Sequence, residues 1–209
     1  MVRQSHETYF IDSSLRFSYY VNQTADVSTL FTSTDEIKKF GPLEIVYFDE
    51  KFNKSIAYVI FPDDVTHIHF GDHFNMSLKR VTLPKQLRTI YFGLRYDMSL
   101  DTVIFPQQLE SIHFGLRFDQ SLTKASFPTT TRQLTFTSSK QLVLDGLPNM
   151  IEEIILHEKL TFDVTNLPLS LKTIKFDQFI DHIKTSIDRI KKIPYGCTIL
   201  DYHDNILNK

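Results

Sequence analysis

Prolines recur at a fixed interval along the middle of this chain of 209 residues. Pro62, Pro84, Pro106 and Pro128 lie 22 residues apart, and the segments between them align without gaps. A period of about 20 to 50 residues is typical of architectures in which one small structural unit stacks on the next. The period therefore restricts the chain to folds whose units bury their apolar side chains against neighbouring units.

The units begin three residues after each proline, usually at an apolar residue. Four units of 22 residues cover 43–130, and two units of 20 residues and one of 26 residues continue to residue 196. A partial unit then begins at Cys197. These boundaries predict three segments. They are an N-terminal cap at 1–42, the repeats at 43–176 and a C-terminal cap at 177–209.

Each unit opens with apolar residues at alternate positions, the pattern of a short β-strand with one buried side. The second position is mostly aromatic; Leu156 is the exception in the full units, and the phenylalanines are Phe48, Phe70, Phe92, Phe114, Phe136 and Phe176. In the partial unit, Leu200 and Tyr202 align with these two inward positions. A second aromatic column, four residues further on, consists of Phe52, Phe74, Tyr96 and Phe118. We expect both columns to stack through the interior, which accounts for much of the total of 18 phenylalanines.

Turn-forming residues follow each strand. Gly71, Gly93 and Gly115 come directly after the first aromatic column and are expected to permit a turn. Asparagine or aspartate, which hydrogen-bonds nearby backbone in turns, follows the second column. These residues are Asn53, Asn75, Asp97 and Asp119. The rest of each unit contains β-branched residues and proline, so the sequence predicts a mainly β solenoid whose return segments are extended or turn-like.

The repeat resembles the FNIP repeats, a branch of the leucine-rich repeats. Phe70-Gly71-x-x-Phe74-Asn75 matches the FGxxFN signature in full, and the units that contain Gly93 and Gly115 match it with conservative changes. The resemblance is close over 43–130 and looser over 131–202. It implies a parallel sheet on the concave side of the solenoid, a non-helical convex side, capped ends and an interaction role. Such repeats are known mainly from slime moulds and giant viruses, sometimes behind an F-box, for which residues 1–42 are too short and too polar.

The two ends show different patterns. Residues 177–193 place apolar side chains at helical spacing, with Asp177 as a candidate N-cap and Lys191 and Lys192 near the helix end. This C-terminal helix either binds a partner or lies on the convex side as part of the cap, and we favour the cap. Residues 15–21 are strand-like and suit an N-terminal cap. Their aromatic residues, with Phe10, offer a dimer contact as the alternative, and the sequence does not separate the two.

The outward positions of the strands alternate tyrosine and histidine, at Tyr47, His69, Tyr91 and His113. With strands about 4.8 Å apart, these side chains form a ladder on the concave sheet. Tyrosine combines a large contact area with a hydrogen-bonding tip, which suits a binding surface. The ladder is equally well explained as a set of cross-strand pairs that stabilise the sheet.

Two charged columns accompany the ladder. One residue into each unit, the column Glu44, Thr66, Arg88, Glu110, Arg132, Glu152, Lys172 alternates in sign over its last five members. We expect neighbours in this column to form ion pairs across units, which would favour the correct register. Arg95 and Arg117 occupy one turn column after Lys51 and His73, and this basic strip either receives an acidic partner or is simply solvated.

Several functional classes are not expected. The net charge of −2 argues against a dedicated nucleic-acid binder, and no apolar run reaches the length of a membrane helix. A polar N-terminus and the lone Cys197 predict a cytoplasmic protein, in the host cytoplasm if the source is viral. His67 and His69 share one face of a strand, but no cysteine or carboxylate column completes a metal site. Without a recognisable catalytic constellation, we predict no enzyme activity, metal or cofactor.

The function predicted from the sequence is a non-enzymatic scaffold that binds an unidentified protein on the concave surface. The candidate binding residues are Tyr47, His67, His69, Tyr91, His113, Arg95 and Arg117. The alternative is a structural protein that associates with itself through its caps or edges, forming a dimer.

Overall fold

The computed structural model describes residues 43–137, 144, 146–177 and 183–207, and the backbone of 2–4, 7–11 and 17–21. Its strands and helix follow one another in chain order. They are β1 Val2–Gln4, β2 Glu7–Ile11, β3 Phe17–Val21, β4 Leu43–Phe48, β5 His67–His69, β6 Thr89–Tyr91, β7 Ser111–Phe114, β8 Gln133–Phe136, β9 Glu153–Leu156, β10 Thr173–Phe176, α1 Ile183–Arg189, β11 Thr198–Leu200 and β12 Ile206–Leu207.

The strands form one sheet of 12 members whose spatial order is the same as their order in the chain. From β3 to β11 every neighbouring pair is parallel. Ile68 pairs with Ile90, and Ile90 pairs with Ile112, so the period of the sequence is the register of the sheet. The predicted mainly β solenoid, with about seven turns, is confirmed.

Three tight turns close each unit in the region 43–130. In one unit, Phe74 N donates to Gly71 O at 3.0 Å, Val81 N donates to Leu78 O at 3.0 Å, and Leu87 N donates to Pro84 O at 3.2 Å. The prolines therefore mark the third turn, which leads into the next strand. These return segments contain no helix, as predicted, whereas in the shorter unit that follows Leu144 has helical backbone.

The interior consists of stacked apolar columns. Ile68, Ile90 and Ile112 are completely buried, and the aromatic columns lie beside them. Ring centroids in the first aromatic column are 5.1 Å apart for Phe48 and Phe70 and 5.6 Å apart for Phe70 and Phe92. Aromatic pairs in such offset stacks add about 0.5–1.5 kcal/mol each beyond the burial of their area. The predicted phenylalanine-rich core is confirmed.

The three glycines after the strands are required for a different reason from the one predicted. A Cβ on Gly93 would overlap the carbonyl oxygen of Gly71, and one on Gly115 would overlap that of Gly93. Among the described residues the glycines with positive φ are Gly146 and Gly196, so the three turn glycines do not need left-handed backbone. They are needed because the turn of each unit packs directly against the turn before it.

The turn asparagines and aspartates also act between units rather than within one turn. Asn53 Oδ1 accepts a hydrogen bond from Asn75 N, Asn75 Oδ1 accepts one from Asp97 N, and Asp97 Oδ1 accepts one from Asp119 N, each at 2.9 Å. We call this series the side-chain ladder of the turns. It satisfies backbone donors that the turn itself leaves unpaired.

The alignment of the last partial unit was wrong by one residue. Ile174 pairs with Ile199 and Lys175 pairs with Leu200, so Ile199, which is 3% exposed, occupies the inward position instead of Leu200. Tyr202 accordingly lies outside the aromatic column and contacts His203, with the two rings tilted and their centroids 3.8 Å apart. The turn from Pro194 to Cys197 is kept, but the strand begins directly after it at Thr198.

The C-terminal helix is present but ends earlier than predicted. α1 ends at Arg189, because Ile190 leaves the helix to form a parallel bridge with Val164. Lys191 therefore follows the helix and donates its backbone N–H to Val164 O. Ser186 Oγ accepts a hydrogen bond from Leu160 N, which joins α1 to the return segment of the preceding unit. The predicted N-cap interaction of Asp177 involves residues 178–182, which lie outside the described part.

Antiparallel strands flank the parallel series at both ends. β1 pairs with β2 and β2 with β3 at one end, and β11 pairs with β12 at the other, all antiparallel. This arrangement gives the solenoid a hairpin at each end. The predicted dimer contact through Phe10, Phe17, Tyr19 and Tyr20 concerns side chains outside the described part. The three segment boundaries stay a prediction.

Candidate interaction surface

The outward side chains of strands β4 to β10 form a surface that we call the sheet face. Its most regular part is the aromatic ladder Tyr47, His69, Tyr91 and His113. Neighbouring ring centroids are 4.5 Å, 4.0 Å and 4.1 Å apart, and the rings are stacked. Because the rings of His69 and Tyr91 are stacked on both faces, the ladder presents mainly ring edges to the solvent.

The second outward column of the sheet face is polar. Thr66 Oγ1 and His67 Nδ1 share a hydrogen bond of 2.8 Å, and Ser111 Oγ donates to Thr89 Oγ1 at 3.0 Å. These bonds hold the side chains next to the ladder in fixed positions. His67 and His69, two of the predicted binding residues, thus lie on the same strand. His67 is hydrogen-bonded to Thr66, whereas His69 is stacked in the aromatic ladder.

The two ladder histidines are uncharged at neutral pH. Burial, reinforced by the nearby His67 and His113, lowers the pKa of His69 from 6.5 to about 4. Burial and the nearby His157 lower the pKa of His113 to about 4. The ladder is therefore a neutral band that donates and accepts hydrogen bonds.

The ladder stops at His113. The next two residues in its column are Thr135, which is buried, and Ile155. The column then ends in Lys175, whose Nζ lies 2.8 Å from Asp204 Oδ1, and Leu200. The sheet face therefore has an aromatic half over β4–β7 and a mixed half over β8–β10.

The charged column at the start of the strands forms the predicted ion pairs in part. Arg88 lies 2.7 Å from Glu110, Arg132 lies 2.8 Å from Glu152, and Lys172 lies 2.6 Å from Glu152. The hydrogen bond from Lys172 is the main reason why the pKa of Glu152 lies below its usual range. The charges of Arg88, Arg132 and Lys172 are therefore neutralised by glutamates of the protein itself.

Arg95 and Arg117 lie beside the sheet face rather than on it. Each occupies a corner of the turn that follows its strand, and each is exposed. The residue before each arginine is a leucine, and Leu94 and Leu116 are 44% and 41% exposed. We call these four residues the arginine rim. Sequence reasoning missed the leucines, because only the fixed corner geometry of the turn shows that they are not core residues.

Other classes of site find little support in the described part of the chain. There, histidine, cysteine and acidic side chains form no group of three suited to a metal ion. No helix within the described ranges has the length and apolar character to cross a membrane. Burial raises the pKa of the Cys197 thiol to about 11, so this thiol is protonated at neutral pH.

Comparison with known proteins agrees with the architecture. The family model described as the FNIP Repeat matches residues 52–95 and 96–139. Among the curated proteins, none matches this chain. Among solved structures, the fold is similar to CroV588, described as a novel circular leucine-rich-repeat protein, from the giant virus CroV. The TM-score is 0.57 at 24% identity.

That match covers 76% of this chain but 24% of CroV588, so this chain spans about a quarter of the length of its structural neighbour. At this level of identity the likeness concerns the fold alone. The two family matches begin at Phe52 and Tyr96 and include the turn motifs of Gly71, Gly93 and Gly115. Residues 52–139 of the chain therefore match the FNIP repeat, and they lie within a solenoid of the leucine-rich-repeat type.

Proposed function

We propose that this protein is a non-enzymatic scaffold that binds a protein partner on its sheet face. The aromatic ladder carries the proposal. Tyr47, His69, Tyr91 and His113 stand side by side on one surface and are only partly exposed, and the two histidines are uncharged at neutral pH. Tyrosine-rich, rigid surfaces of this kind are typical of protein interfaces, since little side-chain freedom is lost when they bind.

The repeat architecture supports the same function. Solenoids use their extended sheet as a binding surface, because each unit adds one row of side chains to it. The rows here are fixed by parallel pairing from β4 to β10 and by hydrogen bonds among the outward side chains. The partner therefore meets a surface that is organised before it binds.

The test changes the ladder and leaves the rest of the chain intact. A variant with Tyr47→Ser, His69→Ser, Tyr91→Ser and His113→Ser is compared with the unchanged protein in photo-crosslinking capture from the native cell. We expect the partners that crosslink to the unchanged protein to be reduced at least tenfold by the variant. Circular dichroism shows that the variant is folded, and the single change Tyr91→Ser serves if the fourfold variant unfolds.

The matched control removes apolar contact area from another surface. Tyr58, Ile60 and Ile104 are 86%, 83% and 84% exposed on the return segments, and a variant with serine at all three should capture the same proteins as the unchanged chain. Equal capture by the ladder variant and the control would contradict the proposal. Self-association remains the alternative prediction, and light scattering that shows a concentration-independent monomer would exclude it.

A further inference from the structure

The arginine rim differs from the other charged column of the protein. Arg88 and Arg132 each pair with a glutamate one unit away. Among the described residues, no carboxylate forms an ion pair with Arg95 or Arg117, although these arginines lie on adjacent units. Two like charges therefore lie next to each other, whereas in the charged column at the start of the strands the sign alternates and neighbouring charges neutralise one another.

The backbone holds the rim in a fixed arrangement. Tyr96 N donates to Gly93 O and Phe118 N donates to Gly115 O, so Leu94 and Arg95, like Leu116 and Arg117, occupy the central positions of a tight turn. Arg117 N donates to Leu94 O at 2.9 Å, which joins the two turns directly. The two arginines are thus about one strand spacing, 4.8 Å, apart at the level of the backbone.

Carboxylates on neighbouring turns are engaged with the backbone. Asp72 Oδ1 accepts a hydrogen bond from Leu94 N at 3.4 Å, and Asp97 Oδ1 accepts hydrogen bonds from Asp119 N and Gln120 Nε2. They serve the turn structure, whereas the guanidinium groups of the rim project outward. The rim therefore offers two cations, each beside an exposed leucine, at the edge of the aromatic ladder.

We propose that the arginine rim binds an acidic, partly apolar segment of a protein partner, with one carboxylate for each arginine and apolar side chains against the leucines. This proposal rests on the proposed scaffold function and adds the chemistry of the partner. Guanidinium groups bind carboxylates with two parallel hydrogen bonds, and a prearranged pair loses little freedom on binding. A nucleic acid fits less well, because the net charge of the protein is −2 and aspartates lie on the same turns.

The test measures the binding of a synthetic peptide by fluorescence anisotropy. The labelled peptide has ten residues, with two glutamate–leucine pairs in a glycine–serine background. Arg95→Gln combined with Arg117→Gln should weaken binding at least tenfold at low salt. Added salt should reduce the difference, because the contacts are electrostatic.

The chain offers a control of matched turn position and charge, in which the two cations lie two units apart instead of one. Arg80 and Lys124 are exposed and occupy the equivalent corner of the second turn in their units, since Val81 N donates to Leu78 O and Ala125 N donates to Leu122 O. Arg80→Gln combined with Lys124→Gln removes the same charge and should leave peptide binding within twofold. Equal weakening by the two double variants would overturn the proposal, because it would show a general charge effect.

Two further probes separate the remaining explanations. A peptide with glutamine in place of glutamate should bind at least tenfold more weakly, and equal binding would overturn the role of the carboxylates. A labelled ten-nucleotide oligothymidylate should bind more weakly than the acidic peptide, and tighter binding would reassign the rim to nucleic acid. Protein capture by the ladder is measured separately, so failure of the unchanged protein to bind the acidic peptide, with intact capture, would overturn the rim proposal alone.

Discussion

Single residues of this protein are constrained by the contact between units more than by the conformation of their own turn. Gly93 shows this, since a Cβ at this position would overlap the backbone of Gly71 and approach Asp72. The sequence indicated the position of the glycine but not the cause. A glycine that permits positive φ and a glycine that permits close approach look the same in a repeat.

Gly93→Ala should lower the free energy of unfolding by about 2–3 kcal/mol, because the added methyl group must displace the backbone of the neighbouring turn. Gly196→Ala is the control. Gly196 has a φ of 78° and nothing within 4 Å of the added Cβ, so only the backbone conformation should cost free energy, about 1–2 kcal/mol. Urea unfolding measures both. A smaller loss for Gly93→Ala than for Gly196→Ala would contradict the close-contact explanation.

Tyr96 is a second residue with a clear consequence. Its side chain is completely buried between the rings of Phe74 and Phe118, and no partner among the described residues satisfies its hydroxyl. Burial accordingly raises the pKa of Tyr96. An unsatisfied buried hydroxyl costs about 1–3 kcal/mol.

Tyr96→Phe should therefore stabilise the protein by about 1 kcal/mol, as measured by the midpoint of urea unfolding at unchanged slope. The exposed Tyr58, changed to Phe, is the control and should have an effect within about 0.5 kcal/mol. A destabilised Tyr96→Phe variant would show that the hydroxyl does have a partner.

At the scale of elements, neighbouring strands are joined by the charged column as well as by backbone hydrogen bonds. Glu152 lies between Arg132 and Lys172 and contacts both. These side chains are partly exposed, so each pair is weak and is screened by salt. The column therefore favours the correct register rather than supplying much stability.

Arg132→Glu places a carboxylate next to Glu152 and should lower stability by about 1 kcal/mol at low salt, with a smaller loss at 1 M salt. The neutral Arg132→Gln variant should show a smaller loss with a weaker salt dependence. Urea unfolding at the two salt concentrations tests this. A loss that is the same at both would mean that the pair is not electrostatic.

The aromatic ladder predicts how stability depends on pH. The pKa values of His69 and His113 are about 4 in the folded protein against 6.5 as the ordinary value, so the unfolded chain binds more protons between these limits. Their contribution to stability is complete above about pH 6.5 and is lost as the pH falls toward 4. The free energy of unfolding should therefore decrease as the pH falls from 6.5 to 4.

His113→Thr, which places in the ladder column the residue found at position 135, isolates one of these contributions. The variant should lose less stability between pH 6.5 and 4 than the unchanged protein does, as measured by urea unfolding at each pH. The same loss in both would contradict the lowered pKa of His113.

Much of the element structure was predictable from the sequence, and the exceptions have physical causes. Alternating apolar residues located strands β4 to β10, because a strand with one buried side must repeat every second residue. The register of β11 was missed, because Leu200 continues the apolar pattern as well as Ile199 does. The end of α1 was missed, because Ile190 suits both a helix face and the bridge to Val164.

At the scale of the whole molecule, the period of the sequence determines the architecture. The outward columns determine which side chains lie on its surface. The stacked interior follows from residues that recur every 22 positions. The arginine rim does not follow from periodicity, since the same turn corners carry Glu50 and Lys51 in the first unit. Its exposure follows from the position of the turn corners in the structure, where no carboxylate of the described residues forms an ion pair with either arginine.

The central claim is that the aromatic ladder and the arginine rim stand on one continuous, rigid frame. A series of backbone hydrogen bonds crosses every unit boundary from Glu44 to Thr198. For example, Arg88 N donates to Thr66 O at 2.8 Å, Glu110 N donates to Arg88 O at 2.8 Å, and Arg132 N donates to Glu110 O at 2.9 Å. Opening these bonds requires separation of whole units, so their amides should exchange only through cooperative unfolding.

Native-state hydrogen exchange, resolved to single amides, tests this claim most directly. We predict that the amides of Arg88, Glu110 and Arg132, together with those of Asp97 and Asp119 in the turns, exchange at least about a thousandfold more slowly than in an unfolded chain. Their opening free energies should be equal within about 1 kcal/mol. Fast exchange at the turn amides, or protection that ends between Glu110 and Arg132, would contradict a continuous frame.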